Sequence, residues 1–375
     1  MQALVRHPRL RWAVPGAAVV ALVGGVAVSQ AASGAGGDAP PLTARDLLVA
    51  LQQATPVPFS GEAQTTLDLG LPQIPSLGGS GGARLTSLIS GTHDWRVWSD
   101  GADKARLALV DGAAESDIIH SGSDVWVWSS ADRTATHIVV PASTGKTHPA
   151  PALPSQLAAS LADPQQAAAF VLTALDPTTR VETTSTDSVA GRAAYGLVVT
   201  PRSTTTKVGS IHLSVDAQTK LPLAVSVTAR GATKPAIDVA YTAITYAAPD
   251  PSVFAFTPPP GTKVTTKTLG GSEERGWFGG TPKASAPKTD ATNPTPPRIV
   301  GTGWDTVAVV TLPTHALQSA TTGPLAGGLD LLPRVNGSWG SGHLLDTALV
   351  SAVLTSDGRL AMGMVAPDAL YAALG

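Results

Sequence analysis

The chain has 375 residues, 43% of them hydrophobic and 14% charged, with a formal net charge of -2. That is enough apolar material for a buried core and enough length for two domains, and it argues against a solvated, disordered polymer. Lys and Arg number 25 against 27 Asp and Glu, with no basic run beyond the N-terminal segment, which argues against a nucleic-acid partner because phosphates need clustered cations. The absence of Cys removes disulfides, thiolate nucleophiles, iron–sulfur ligands, Cys-type zinc sites and a lipobox anchor together.

Residues 1–31 have the build of an export segment. Arg6, His7, Arg9 and Arg11 form a positive flank, and an apolar stretch follows from Trp12 to Val28. Ser29-Gln30-Ala31 supplies the small residues of a signal-peptidase site, with cleavage after Ala31. The same stretch is close to the roughly 17 residues that just span a bilayer, so cleaved signal peptide and retained membrane anchor are both open. Either way the positive flank orients the remainder outward, and an extracytoplasmic location is expected.

After a Gly/Ala/Pro stretch, Thr43 is placed to cap a short helix over Ala44 to Ala54, with Leu47, Leu48 and Leu51 on one face and Pro56 and Pro58 ending it. From Phe59 the period drops to two and predicts a half-buried strand to Leu69. A Gly-rich loop over Leu77 to Gly82 precedes a meander of short strands at His93–Trp98, Lys104–Val110, Ser116–His120, Val125–Ser129 and Thr134–Val140. Asp100-Gly101, Asp111-Gly112 and Ser121-Gly122 are hairpin dipeptides, since Gly accepts a positive φ. Trp95, Trp98, Trp126 and Trp128 all fall in this meander.

A helical interlude is expected from Pro154 to about Leu175, with Asp163 as a cap and Pro164 in the first turn. Strands resume at Arg192–Thr200, Ser210–Asp216, Leu221–Arg230 and Ile237–Tyr246, with turns at Lys207–Gly209 and Ala217–Lys220. Residues 269–297 are rich in Gly, Lys, Ser, Thr and Pro and predict a flexible linker. Beyond it, a strand at Thr306–Leu312, a hairpin around Ser356-Asp357-Gly358 and a short helix from Pro367 predict a small C-terminal α+β domain over 298–375. A unit of that size is marginal alone, which favours packing on the larger domain.

The run from Arg192 resembles a known family. Tyr195-Gly196-Leu197 leads to Pro201, then Val215-Asp216 is followed by Leu221-Pro222-Leu223. The pattern closes with Tyr246, Pro249-Asp250, Phe254-Ala255-Phe256 and Pro259-Pro260-Gly261-Thr262-Lys263-Val264. This combination is similar to the C-terminal half of the LolA-like lipoprotein-carrier superfamily, which includes MucB/RseB-like members. The helix with Leu47, the Phe59-Ser60-Gly61 strand and Gly122-Ser123-Asp124-Val125-Trp126 extend the likeness over about 43–267. The resemblance implies a mainly β fold with helices: a strongly curved antiparallel sheet, an incomplete barrel, with covering helices and an apolar cavity between. It implies as partners lipid or lipoprotein acyl chains, or, as in MucB/RseB-type members, an anti-sigma factor or another membrane protein. Those members carry a second small domain, as this chain is expected to, although residues 298–375 do not match theirs.

By strand parity the candidates for the cavity wall are Phe59, Leu67, Leu69, Ile211, Leu213, Val215, Leu223, Val225, Ile237 and Val239. Trp95, Trp98, Trp126 and Trp128 join them as candidates for its mouth, with Trp126 and Trp128 sharing a face. The competing reading is a closed core, with the tryptophans as cross-strand pairs. Parity also sends His212 and Ser214 to the opposite, solvent-facing side. An acyl chain in such a cavity gains about 0.8 kcal/mol per buried methylene.

No motif assembles a catalytic site, and a non-enzymatic protein without metal or cofactor is expected. Gly78-Gly79-Ser80-Gly81-Gly82 has the letters of a nucleophile elbow but not its strand-before, helix-after context. The eight His show no metal-ligand spacing, and Asp94, Asp100, Asp103, Asp111, Glu115 and Asp117 cluster near turns, where they are expected to solvate the meander. Two functions lead, an extracytoplasmic binding protein for a lipid or acylated protein and a membrane-tethered envelope-stress sensor binding an anti-sigma factor; a secreted hydrolase is the third reading, with no motif pointing to it.

Overall fold

The computed structural model describes residues 42–70, 90–111, 114–140, 178–268, 297–312, 329 and 331–375. The expected export segment, glycine loop, helical interlude and, apart from Pro297, the linker lie outside the described residues. No described helix is long and apolar enough to cross a membrane.

Helix α1 spans Ala44–Gln53, and Thr43 Oγ1 accepts a hydrogen bond from Asp46 N at 3.2 Å, so one otherwise orphaned first-turn N–H is satisfied as expected. Leu47 and Leu51, one helical turn apart, are its buried face.

The strands of the first sheet are β1 (Phe59–Leu67), β2 (Gly91–Ser99), β3 (Lys104–Asp111), β4 (Ala114–Ser121), β5 (Asp124–Ser129), β6 (Thr134–Val139), β7 (Thr179–Val189), β8 (Arg192–Pro201), β9 (Val208–Asp216), β10 (Pro222–Ala229), β11 (Pro235–Thr245) and β12 (Lys263–Thr268). They form one 12-stranded sheet in the order β12-β6-β5-β4-β3-β2-β1-β11-β10-β9-β8-β7. The sheet is mixed, because β12 runs parallel to β6 while the other neighbours are antiparallel. It curls enough to bring β7 against β11 across the intervening strands, yet β12 and β7 share no ladder and the barrel stays open.

Two strands of this sheet, β7 and β12, escape the periodicity rule: Thr-Arg-Val-Glu-Thr-Thr-Ser-Thr-Asp-Ser-Val and Lys-Val-Thr-Thr-Lys-Thr are β-branched but have no apolar alternation. β7 and β8 are joined by Ala190-Gly191, both at positive φ (50° and 72°), the backbone of a two-residue hairpin turn. The turn expected at Lys207–Gly209 lies earlier, since β9 already begins at Val208.

Strand register assigns the side chains to two faces. Leu213 stands opposite Leu197 and Val225, Ile211 opposite Val199 and Val227, and Val215 opposite Tyr195. Leu47 and Leu51 close over Tyr195, Leu197, Leu213 and Val215 in one buried cluster. This side is called here the α1 face. On the opposite face His212 and Ser214 meet the bulged β7, where Ser214 Oγ donates to Asp187 Oδ2 at 2.8 Å. Ser214 is only 6% exposed, so its expected solvent-facing position is corrected: the β7 bulge turns Asp187 over it. Gly196 is required there, because a Cβ would fall 1.9 Å from Thr184 Oγ1.

After β11 the chain crosses the opposite face of the meander as a strap before entering β12 at the far edge. Phe254, in a short 3-10 turn over Pro251–Phe254, is buried there, and Arg106 Nη1 donates to Val253 O at 3.4 Å. Phe256 lies against Trp126 and Trp128, with ring centroids 5.3 and 6.0 Å apart.

The second sheet comprises β13 (Arg298–Val300), β14 (Val307–Thr311), β15 (Arg334–Gly337), β16 (Gly340–Asp346), β17 (Ser351–Thr355) and β18 (Arg359–Gly363), in the order β13-β14-β18-β17-β16-β15, with helix α2 (Pro367–Leu374) on one side. Val307, Val309, Val353, Ala361, Val365, Leu370 and Leu374 fill the space between them. This sheet is docked on the first. Trp304, in the β13–β14 connection, is buried with Val208, Ile211, Val227, Ala236 and Leu349, and its Nε1 donates to Thr179 Oγ1 at 2.8 Å. Lys207 pairs with Asp346, Asp305 accepts from Ser203 and Thr205, Lys207 N donates to Met364 O at 2.8 Å, and Ala348 N donates to Leu69 O at 2.8 Å.

Candidate functional site

The α1 face is closed at one end and open at the other. Over β8–β10 it is filled: Leu213 and Val215 are 1% and 0% exposed beneath α1, and Ile211 is buried with Trp304 from the second sheet. Leu223, at a bulge in β10, is also buried. Val225 and Ile237 are half-buried at the margin, and Leu69, just past β1, packs beside Trp304's cluster. These candidates therefore pack as core or core margin.

Phe59 is buried at the start of β1, edge-on to Tyr241 at 5.9 Å. Gly61 makes that pairing possible, since a Cβ there would stand 2.9 Å from the Tyr241 ring. Burial, and secondarily the nearby Tyr246, push the Tyr241 hydroxyl far above its usual range, so it stays neutral.

Across the meander the same face is open. Val97, Leu107, Ile118 and Val127 stand directly opposite one another on β2, β3, β4 and β5 and form an apolar row perpendicular to the strands. At about 4.8 Å per strand the row is roughly 14 Å long. Ile118 and Val127 are 47% and 36% exposed, and Val239 on β11 is 36% exposed. Trp95, two residues before Val97 on β2, flanks the row, whereas Leu67, six residues along β1 from Val97's partner Gly61, lies apart from it; both are half-buried. Trp95 Nε1 is buried with no hydrogen-bond partner. Of the sequence candidates, then, Trp95 borders the row, while Val239 is exposed on the same face but away from it, opposite Thr65. Val97, Leu107, Ile118 and Val127 are not among the sequence candidates: the Ile118-Ile119 doublet, for one, sends one Ile to each face, and only the register tells which.

Trp126 and Trp128 do share a face, but it is the opposite one from Trp95. Each step from β2 to β5 preserves the pairing Trp95–Leu109–Ser116–Ser129, which leaves Trp126 and Trp128 on the strap side. Trp126 stacks on His137 at 4.2 Å, and His137 Nε2 lies 2.6 Å from Asp124 Oδ1. That hydrogen bond, with one from Ser123, lowers the Asp124 carboxyl below its ordinary value.

Beneath the strap, Asp117 is 1% exposed rather than solvating the meander. Burial raises its carboxyl above the usual range despite Arg106, whose Nη2 lies 2.7 Å from it and 3.2 Å from Glu115. Arg106 also sits over the Trp98 ring at 5.4 Å. These groups fasten the strap to β3 and β4.

One constellation could suggest chemistry. Asp187 Oδ2 accepts from Ser214 and lies 2.9 Å from His212 Nε2, so the hydroxyl is held by the carboxylate and not by the imidazole that would have to activate it. Among the described residues no three His, Cys, Asp or Glu converge as a metal site.

No known family pattern and no curated protein matches the sequence. Solved structures do. MucB in its complex with MucA from Pseudomonas aeruginosa is 17% identical over 84% of this chain and 91% of its own, with a TM-score of 0.39. A LolA superfamily protein from Nitrosomonas europaea is 13% identical over 58% of this chain and 99% of its own, with a TM-score of 0.23. The second bears the name of the superfamily that the Arg192–Val264 residues resemble. At these identities and TM-scores, what the chain does has to be read from its own residues.

Proposed function

We propose that the chain is an exported, non-catalytic binding protein that holds acyl chains of a lipid or lipoprotein on the α1 face of its meander. One observation carries this: a contiguous apolar row, Val97–Leu107–Ile118–Val127, stays partly open on a face that is packed shut over β8–β10. Single exposed apolar residues are ordinary, whereas a connected row of them marks a place where something apolar docks. The positive flank with its apolar stretch, and the LolA-like run from Arg192, support the same reading from the sequence.

The test is retention. The full chain, expressed in an exporting host and recovered gently from membranes, should carry lipid in native mass spectrometry, and Ile118→Asp or Val127→Asp should release it while the fold persists. A folded wild-type chain that neither retains lipid nor extracts it from vesicles overturns the proposal. If that chain instead co-purifies with a membrane-bound anti-sigma factor, the sensor reading takes its place.

A further inference from the structure

Resting on that reading, we propose that Trp95 selects the ligand by its linkage: its indole N–H donates to an acyl carbonyl, so the site takes ester- or amide-linked acyl chains in preference to ether-linked ones. The observation is a missing partner. Trp95 Nε1 is buried and makes no hydrogen bond. Its neighbours across β1 and β3, Ala63 and Leu109, are each 8% exposed and offer only carbon in their side chains. The next residue on the same side of β2, His93, has its Nε2 3.0 Å from Ser90 O.

Buried indole N–H groups ordinarily find an acceptor, and an orphaned one in a native fold calls for a reason. Trp304, in the same chain, follows the rule by donating to Thr179. Trp128 Nε1 is also unpartnered, but it lies on the strap side beside Phe256, away from the apolar row. Of the two unpartnered indoles, Trp95 is the one on the α1 face, next to Val97, where the row begins.

The α1 face thus holds a desolvated donor without an acceptor. A bare hydrocarbon chain leaves that defect in place, whereas a carbonyl oxygen removes it. Reaching Nε1 requires the oxygen to displace the atoms that now cap it, so loading is coupled to a local opening at β2. An ether oxygen is a poorer acceptor and sits at the same place in an otherwise matched lipid.

The experiment compares vesicles of dipalmitoyl phosphatidylcholine with vesicles of its dihexadecyl ether analogue. Wild type should take up the ester lipid about tenfold more strongly, which corresponds to about 1.4 kcal/mol. Trp95→Phe should bind both equally, at the wild-type ether level. In wild type, the Trp95 indole proton should shift downfield in NMR with the ester lipid and not with the ether, a readout that needs no variant. Equal uptake of both lipids by wild type, discrimination that survives in Trp95→Phe, or an indole resonance unmoved by the ester lipid overturns the inference and leaves the carrier reading standing. Failure of folded wild type to take up either lipid overturns both.

Discussion

Leu213 and Ile118 stand on the same face of the same sheet, and truncating them should have opposite consequences. Leu213 is 1% exposed and packs with Leu47, Leu51, Tyr195, Leu197 and Val215. Leu213→Ala removes a buried isobutyl group and leaves a cavity that α1, tied by its Thr43 cap, can only partly close, at a cost of about 3–4 kcal/mol. With about 2–4 °C lost per kcal/mol in a domain of this size, the melting temperature should fall by roughly 6–16 °C. Ile118 is 47% exposed, so at most about half of its burial energy is in play. Ile118→Thr keeps the β-branch and should cost about 1 kcal/mol or less, or roughly 2–4 °C. Lipid retention should move the other way: unchanged per folded molecule in Leu213→Ala, and weakened about fivefold in Ile118→Thr. Thermal melts and native mass spectrometry on the two variants give both numbers. If Ile118→Thr destabilises as much as Leu213→Ala, the row is a closed core and the reasoning fails.

Trp304→Ala should cost about 3–5 kcal/mol and, because Trp304 joins the cores of the two sheets, calorimetry should resolve two transitions where wild type shows one; a single undiminished transition would show that the polar contacts alone couple them. Asp216 is buried, and although desolvation opposes its ionisation, the Arg192 and Thr219 hydrogen bonds outweigh it and hold its carboxyl below the ordinary 3.8. A depressed acid contributes stability above its unfolded pKa and loses it as pH falls through the folded one. Asp216→Asn should therefore be less stable at neutral pH and lose less than wild type as pH is lowered below about 4; parallel stability–pH curves would count against this account.

Much of this architecture can be read from the chain because its turns are chemically explicit. Asp100-Gly101 and Ser121-Gly122 fall where hairpins close, and the period of two from Phe59 to Leu67 is a real strand. Parity correctly grouped Leu213 with Val215 and set them apart from His212 and Ser214. What parity cannot supply is which side another element covers. Leu213 and Ile211 lie in core because α1 and Trp304, respectively, arrive from distant parts of the chain, and Trp95 parts company with Trp126 because a face assignment must be carried through three hairpins. Asp117 looked like a turn carboxylate, and only the strap returning after β11 buries it.

The two strands that periodicity overlooked, β7 and β12, are the two ends of the first sheet. An edge strand offers unpaired N–H and C=O groups to any passing chain, and an apolar, regular one invites polymerisation. β12 is exposed along its whole length and carries Lys263 and Lys267, so a strand arriving from solution must bury ammonium groups to add to it. β7 is rich in Thr and Ser and is broken by a bulge between Thr184 and Asp187, which spoils the straight register that a new partner needs. The lack of apolar alternation that hides these segments from a pattern search is thus the property that lets a long open sheet end in water without recruiting its neighbours.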